Sequence, residues 1–433
     1  MKFGLPARTI LLAALFFVAA CGPGSQLSTT GAAAQPTAAA ATQPSPAGQS
    51  ASPSPAASPA VAKPAAGGSP SPSASPSPAA AAASPVAAAS PSPAAAAISI
   101  GSPFPGEAQS LNGAGGTFPA PLYQKWFDEY AKLTNVQVNY QAIGSGGGIQ
   151  GIQNQTVDFG ASDAPMTDDQ LAAAKAGPIF HIPTALGAIV PTYNIPGVSS
   201  KLKFAGDTLA GIYLGDITMW NDPKLVADNP DLANVNEDII VVHRSDGSGT
   251  TYGWTDYLSS VSSDWAQKVG KGTSVNWPVG LGGSGNPGVA GEVQQNPKSI
   301  GYVELIYALQ NNLGYGQVKN QTGQWIDPTL DAVTAAAANS AQKIPPDLRF
   351  SIVNAPGANS YPISTATWIL AYRNMTGQAK ATALTRMFWW ATHEGQQFNK
   401  DLAYATVPDA LTRQSENFIR QINVNGTPAF PGR

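Results

Sequence analysis

Two patterns of apolar residues alternate along the chain after residue 107. Short runs rich in β-branched residues predict strands, and apolar residues spaced three or four apart predict helices. The predicted strands are residues 136–143, 157–161, 184–193, 239–243, 300–303 and 368–372. The predicted helices are residues 121–134, 148–155, 168–176, 208–214, 250–260 and 287–295. This alternation predicts an α/β fold with largely parallel sheets, in which ligands bind beyond the carboxyl ends of the strands.

Three of the predicted helices begin at a glycine-rich turn that carries hydroxyl side chains. The turns are residues 113–118, 144–148 and 244–250, and their hydroxyl residues are Thr117, Ser145, Ser248 and Thr250. The unpaired N–H groups of a helix start favour an anion, and glycine allows the backbone to approach it closely. Each hydroxyl residue alone is equally well explained as a helix N-cap. Three such starts on one chain predict an anion site.

The third turn also brings two charges together. Arg244 follows the predicted strand 239–243, and its guanidinium can hold two oxygens of a tetrahedral anion. Asp246 lies two residues further on, where it can orient that guanidinium. A local surface ion pair beside a turn is the alternative interpretation. We expect Arg244 to supply the positive charge of the anion site.

Asp163 lies just after the predicted strand 157–161. Because ligands bind beyond the carboxyl ends of strands in such sheets, Asp163 is a candidate site residue. The alternative is a turn residue, because Ala164 and Pro165 follow it.

The amino terminus predicts export. Residues 1–20 combine Lys2 and Arg8 with an apolar run typical of a secretory signal peptide. The run ends at Cys21, the only cysteine of the chain, in a context similar to a bacterial lipobox. We expect Cys21 to be acylated and to become the mature amino terminus. A plain signal peptide with a chance cysteine is the alternative.

Residues 22–106 consist almost entirely of Ala, Pro, Ser, Gly and Thr, with Lys63 as their one charge. Such a composition cannot bury enough apolar surface to fold, so residues 21–106 are expected to form a lipidated, disordered tether. Residues 107–433 are long enough for a large core or for two lobes. The formal net charge of −3 gives no sign of nucleic-acid binding.

Motifs of the common enzyme classes are missing or unconvincing. Residues 146–151 and 280–285 both fit GxGxxG, but neither has the acidic residue of a dinucleotide site at the required distance. No phosphate loop, HExxH helix or GxSxG elbow occurs, and His181, His243 and His393 lack metal-ligand spacing. We therefore predict no catalytic residue, no metal and no cofactor. A phosphohydrolase and a surface adhesin remain the competing classes, distinguished by phosphomonoester hydrolysis and by surface retention without ligand binding.

Several segments together resemble the phosphate-binding proteins of bacterial ABC phosphate transporters. These are residues 113–121, 144–147, 157–165, 244–250, 277–283 and 300–304, and the resemblance extends from Leu111 to the carboxyl terminus. One departure is Gly146, where many relatives have a second serine.

The resemblance implies a periplasmic-binding-protein fold of the doubly crossed type, with two α/β lobes and a ligand cleft between them. Lobe 1 would comprise residues 107–188 and 361–433, and lobe 2 residues 189–360, with crossovers near residues 184–193 and 361–372. It implies that phosphate is bound by Thr117, Phe118, Ser145, Asp163, Arg244, Ser248, Gly249 and Thr250, with Asp246 orienting Arg244.

In such a site the carboxylate of Asp163 would repel the ligand unless the ligand has a proton to donate. Phosphate keeps at least one O–H near neutral pH and sulfate has none, so Asp163 would favour phosphate over sulfate.

The resemblance also implies the partners of the chain. They would be inorganic phosphate and the permease subunits of an ABC transporter with their cytoplasmic ATPase. The protein would be a monomer that binds no nucleic acid and is held to the membrane only by its lipid. It would lie on the outer side of the cytoplasmic membrane, in a periplasm or at the cell surface.

Overall fold

A computed structural model describes residues 98–432. The predicted signal peptide, Cys21 and most of the predicted tether lie outside these residues. The strands are β1 (Ser110–Gly115), β2 (Gln137–Ala142), β3 (Phe159–Ser162), β4 (Ile179–Asn194), β5 (Lys203–Phe204), β6 (Ile240–Arg244), β7 (Leu281–Gly283), β8 (Ser299–Glu304), β9 (Gly314–Tyr315), β10 (Gln317–Lys319), β11 (Trp325–Ile326), β12 (Ser364–Tyr372), β13 (Asn374–Met375), β14 (Asn423–Val424) and β15 (Thr427–Pro428).

The helices alternate with these strands. They are α1 (Ala120–Thr134), α2 (Ser145–Gln153), α3 (Asp168–Ala172), α4 (Gly206–Leu214), α5 (Pro223–Asp228), α6 (Gly249–Val261), α7 (Ser263–Lys268), α8 (Gly285–Gln295), α9 (Leu305–Gln310), α10 (Leu330–Ser340), α11 (Gln378–Thr392) and α12 (Asp409–Gln421).

One long strand joins the two halves of the main sheet, whose strand order is β2-β1-β3-β12-β4-β8-β6-β7. The first part of β4, from Ile179 to Ala188, pairs antiparallel with β12. Its second part, from Ile189 to Asn194, pairs antiparallel with β8. The strand therefore belongs to both halves of the main sheet in succession. The chain returns beside β4 just before β12, where the N–H of Ile189 donates to Ile363 O at 2.9 Å.

The fold has the expected α/β class, with two lobes that share this crossing. In the first lobe β1 pairs in parallel with β2 and β3, and in the second β6 pairs in parallel with β7 and β8. The antiparallel pairs of the main sheet involve the crossing strands β4 and β12, and the short pairs β10–β11 and β14–β15 outside it are also antiparallel. In the main sheet the prediction of parallel pairing therefore holds within each lobe and is wrong at the crossing, where the chain must run in both directions.

The carboxyl-terminal helices pack on the first lobe. Trp126 of α1 is fully buried, and its indole N–H donates to Gly395 O at 2.7 Å. Phe388 of α11 meets Phe159 of β3 edge to face, with ring centroids 6.2 Å apart. These contacts place α11 and the turn after it against α1 and β3, although more than 200 residues separate them in sequence. Helix α12 packs against β4, where Phe418 stacks on Phe180 with ring centroids 4.6 Å apart.

The predicted elements are present with ends displaced by a few residues, and β1 was not predicted as a strand. Its glycines suggested a flexible turn, because glycine weakens a strand that packs through side chains. In the structure they allow β1 to lie against β3. A Cβ atom on Gly115 would come within 2.0 Å of Ala161 O, and one on Gly113 would meet the Phe159 ring at 2.1 Å.

Residues 98–106, placed in the predicted tether, pack against the domain. Ile100 is buried, and its N–H donates to Glu394 Oε1 at 3.1 Å. Arg386 of α11 donates to Ser102 O and to buried Glu107. Burial of Ile100 and partial burial of Ile98 stabilise this packing.

None of the helices formed by residues 98–432 combines the length and the apolar character needed to cross a bilayer.

Candidate anion-binding site

The three glycine-rich turns meet where the two lobes touch. The turns before α1 and α2 come from the first lobe and the turn before α6 comes from the second. The N–H of Gly146 donates to Gly247 O at 2.9 Å across this junction. A Cβ atom on Gly249 would come within 2.5 Å of Asp163 Cβ and 2.6 Å of Ser145 Oγ, so only glycine permits this approach. The structure thus brings the sequence-predicted residues to one place.

Arg244 ends strand β6 and is held almost completely out of water. Its residue exposure is 3%, and its Nε and Nη2 donate to the two carboxylate oxygens of Asp246 at 2.7 and 2.5 Å. This bidentate pair fixes the guanidinium plane. The Nη1 group points the other way and lies 3.4 Å from Thr250 Oγ1. Asp246 therefore fixes the guanidinium of Arg244 and leaves one edge of it facing the turn before α6.

Asp246 is itself held in its charged form. Burial opposes its ionisation, but the hydrogen bonds and charge of Arg244 outweigh that effect and lower the pKa of Asp246. The N–H of Gly285 also donates to Asp246 Oδ1, at 2.9 Å. The Arg244–Asp246 pair is therefore a preformed unit rather than a flexible surface ion pair.

Asp163 lies at the end of β3 with 1% of its surface exposed. Thr367 of β12 donates to its Oδ1 at 2.8 Å, and Ser145 donates to its Oδ2 at 3.3 Å. Burial raises the pKa of Asp163 to about 7, although the Thr367 bond, the charge of Arg244 and the Ser145 bond act in the opposite direction. A buried carboxyl group with a raised pKa thus lies beside Ser145, Thr367 and Arg244.

The four predicted hydroxyl residues have different structural roles. Ser248 is the N-cap of α6, and its Oγ accepts the N–H of Thr251 at 3.0 Å. Thr250 is inside α6, Ser145 is the first residue of α2, and Thr117 precedes Pro119, the N-cap of α1. Simple capping therefore explains Ser248 alone, and it leaves the Ser248 proton available to a ligand.

Free backbone donors come from the start of α6. The first N–H groups of a helix have no acceptor within it, and those of Gly249 and Thr250 lie in this first turn. The turn before α1 is also arranged to favour donors over acceptors. Tyr307 donates to Thr117 O at 2.5 Å, and Tyr404 donates to Phe118 O at 2.6 Å. Two carbonyl oxygens that would repel an anion are thereby bound by protein hydroxyls.

Sequence reasoning missed two residues of this cluster, Thr367 and Asn286. Thr367 comes from β12, and Asn286 is the second residue of α8. Both contact residues that are distant in sequence, 204 positions away for Thr367 and 169 for Asn286. The signal for Asn286 was the glycine-rich turn at residues 280–285, which is a fourth helix start but was considered only as a dinucleotide motif.

The three histidines lie in separate structural environments. His181 is buried and accepts the N–H of Met166 at 3.0 Å, and burial lowers its pKa to about 3. His243 stacks on Trp277 and His393 stacks on Trp389. Within residues 98–432 no group of three His, Cys, Asp or Glu side chains is arranged to hold a metal ion.

Residues 75–389 match the family model described as a PBP superfamily domain. The chain is 43% identical to the phosphate-binding protein PstS of Xylella fastidiosa strain Temecula1 over 71% of this chain and 84% of that protein. It is 45% identical to the PstS of Haemophilus influenzae over 70% of this chain and 90% of that protein. The PstS of Methanocaldococcus jannaschii is 37% identical, covering 71% and 85% of the two chains.

Solved structures share the fold at low sequence identity. One is the periplasmic phosphate-binding protein PfluDING with phosphate bound, with a TM-score of 0.57, 19% identity and coverage of 71% of this chain and 93% of that chain. Another is a phosphate-binding protein from Stenotrophomonas maltophilia, with a TM-score of 0.56, 18% identity and coverage of 75% and 99%.

Proposed function

The chain belongs to the PBP superfamily and, within it, to the family of the phosphate-binding proteins PstS, and from this premise we propose the following function. The protein is an extracytoplasmic receptor that binds inorganic phosphate and delivers it to an ABC permease for import. Phosphate binds to Thr117, Phe118, Ser145, Asp163, Arg244, Ser248, Gly249 and Thr250, while Asp246 orients Arg244.

The observation that carries this proposal is the buried carboxyl group of Asp163 beside anion-binding donors. Each of its oxygens accepts one protein hydroxyl, and its surroundings contain the guanidinium of Arg244. An ionised Asp163 can only accept, so the ligand must present an O–H at that point. A tetrahedral oxyanion that keeps a proton near neutral pH can donate to Asp163 and accept from the surrounding donors. Phosphate keeps such a proton and sulfate does not.

The raised pKa of Asp163 refines this selectivity. At pH 8 the carboxyl group is mainly ionised and rejects an anion without a proton. Below about pH 7 it takes up a proton and can donate to a bare oxygen. Discrimination against sulfate is therefore a property of neutral and alkaline solution and weakens as the pH falls.

The remaining parts of the proposal concern attachment and activity. Cys21 carries the lipid that holds the mature protein, as a monomer, to the outer side of the cytoplasmic membrane. The chain uses no cofactor and catalyses no reaction. The names of its relatives support a binding and transport role over hydrolysis, since they are phosphate-binding proteins.

Isothermal titration of the purified mature chain, freed of bound phosphate, tests the proposed function. At pH 8 we expect one phosphate per chain and a dissociation constant for sulfate at least about 100-fold higher, because sulfate leaves a buried carboxylate facing a bare oxygen. Incubation with p-nitrophenyl phosphate should release no phosphate. A chain that gives no phosphate signal, or that hydrolyses the ester, would overturn the proposal.

A further inference from the structure

Both polar atoms of the Asn286 side chain have hydrogen-bond partners inside the proposed phosphate site. It is fully buried at the start of α8, and its Nδ2 donates to Thr117 Oγ1 and Thr250 Oγ1, each at 3.0 Å. Its backbone N–H also donates to Thr117 Oγ1 at 3.0 Å. The side chain therefore links one hydroxyl from each lobe, and no polar atom of it is left without a partner.

The orientation of the Asn286 amide follows from its third partner. The backbone N–H of Glu304 points at the Asn286 side chain, with a distance of 3.0 Å to Oδ1. A backbone N–H can only donate, so the carbonyl oxygen must face Glu304 and the NH₂ group must face the two threonines. The reversed amide would set two donors against each other in a dry environment.

The NH₂ group determines what the two threonine hydroxyls can do. A hydroxyl has two acceptor lone pairs and one proton to donate. Thr117 Oγ1 accepts two N–H groups of Asn286, and Thr250 Oγ1 accepts Asn286 Nδ2 and faces Arg244 Nη1. With its lone pairs occupied, each oxygen can offer only its proton to anything else.

We infer that Asn286 is a positioning residue that fixes the hydroxyls of Thr117 and Thr250 as donors to the unprotonated oxygens of the anion. This inference rests on the proposed phosphate function and deepens it. Asp163 then recognises the protonated oxygen, and the two threonines recognise bare ones. Ser145 lacks such a constraint, since its hydroxyl accepts the N–H of Asp163 and donates to the same residue's carboxylate.

Two substitutions of Asn286 separate positioning from simple packing. Asn286→Asp keeps the size and the acceptor for Glu304, but its second oxygen would attract both threonine protons away from the anion. We expect it to raise the phosphate dissociation constant at least about 30-fold, the effect of losing one or more hydrogen bonds to a charged ligand. Asn286→Ala removes the NH₂ group that positions the two threonine hydroxyls but leaves them able to donate to the anion. We expect it to raise the phosphate dissociation constant about 3- to 10-fold.

The order of these effects separates positioning from packing, and the double-mutant cycle below separates positioning from repulsion of the anion by the new carboxylate. A packing role predicts the reverse order, because alanine leaves a cavity and aspartate nearly preserves the shape. Asn194→Ala is the matched control, since Asn194 Nδ2 donates to Val293 O and Gln294 O at the other end of α8. It should leave phosphate binding unchanged within twofold. Asn286→Ala binding more weakly than Asn286→Asp would overturn the inference.

A double-mutant cycle tests whether Asn286 acts through the threonines. In a chain carrying Thr117→Val and Thr250→Val, adding Asn286→Ala should change the dissociation constant by less than twofold, because the hydroxyls it positions are gone. An equal loss in both backgrounds would contradict the inference. If the unaltered chain itself binds no phosphate, the proposed function fails instead, so the two failures are distinguishable.

Discussion

Replacing Asp163 with asparagine tests the origin of anion selectivity. Thr367 donates to Asp163 Oδ1 at 2.8 Å, so in Asp163→Asn the amide oxygen should keep this position. The NH₂ group then replaces Oδ2, next to Ser145, and presents a donor where the natural chain presents an acceptor. The change preserves the size of the side chain and reverses its hydrogen-bonding role.

The expected magnitude follows from the two contacts that change. Phosphate loses a charge-assisted acceptor worth about 1.5 to 3 kcal/mol, partly offset by relief of repulsion. Sulfate gains a donor worth about 0.5 to 1.5 kcal/mol and escapes the repulsion. The ratio of sulfate to phosphate dissociation constants should therefore fall by roughly 30-fold or more at pH 8.

Calorimetric titration with both anions at fixed salt measures this ratio, and pH provides an internal check. Between pH 8 and pH 6 the ratio should shrink in the natural chain, because Asp163 becomes protonated with a pKa of about 7. The ratio of Asp163→Asn should vary little. Asp158→Asn is the control, since Asp158 pairs with Lys380 at the surface of the same lobe. If Asp163→Asn leaves the ratio within twofold of the natural value, the argument for phosphate from this carboxyl group is refuted.

Three further predictions follow from the same structure. Arg244→Ala should weaken phosphate binding by about 2 to 5 kcal/mol, because a buried charged partner of the anion is lost. The circular dichroism spectrum should not change. An unchanged dissociation constant would place the anion elsewhere. For the phosphate-free chain, the contribution of Asp163 to the free energy of unfolding should fall between pH 4 and pH 7, since the native state keeps the Asp163 proton that the unfolded state releases. The difference in this free energy between the natural chain and Asp163→Asn, measured by urea unfolding at each pH, isolates that contribution and should change by about 4 kcal/mol, and a constant difference would contradict the raised pKa. Cys21→Ser should release the mature protein from membranes on fractionation, and a processed variant that stays membrane-bound would exclude the lipid anchor.

Local sequence patterns predicted the elements that carry strong periodicity. In α1 the spacing of Leu122, Trp126 and Tyr130 predicted a buried face, and all three are fully buried. Leu133, three residues after Tyr130, was predicted on the same face but is 41% exposed. Strand β4 was predicted as residues 184–193 and spans Ile179–Asn194.

Contacts between distant residues limited what the sequence alone could predict. The signal for β1 was lost because its glycines serve close packing against β3, which only the folded sheet reveals. Asn286 carries no local signature of its role, since its partners Thr117, Thr250 and Glu304 belong to three other elements or turns. Arg244 and Asp163 could be selected as candidates from the sequence because each is a charged residue that closely follows a predicted strand in a glycine-containing segment.

A crystal structure of the phosphate complex grown at pH 8 would test most directly the central claim, that Asp163 accepts a proton-bearing oxygen of phosphate. We expect one phosphate oxygen to lie about 2.5–2.7 Å from a carboxylate oxygen of Asp163, the distance of a charge-assisted O–H···O⁻ bond. The other oxygens should lie within hydrogen-bond distance of Arg244 and the first N–H groups of α6. A phosphate bound elsewhere, or one whose oxygens all lie beyond about 3.5 Å from Asp163, would contradict the account.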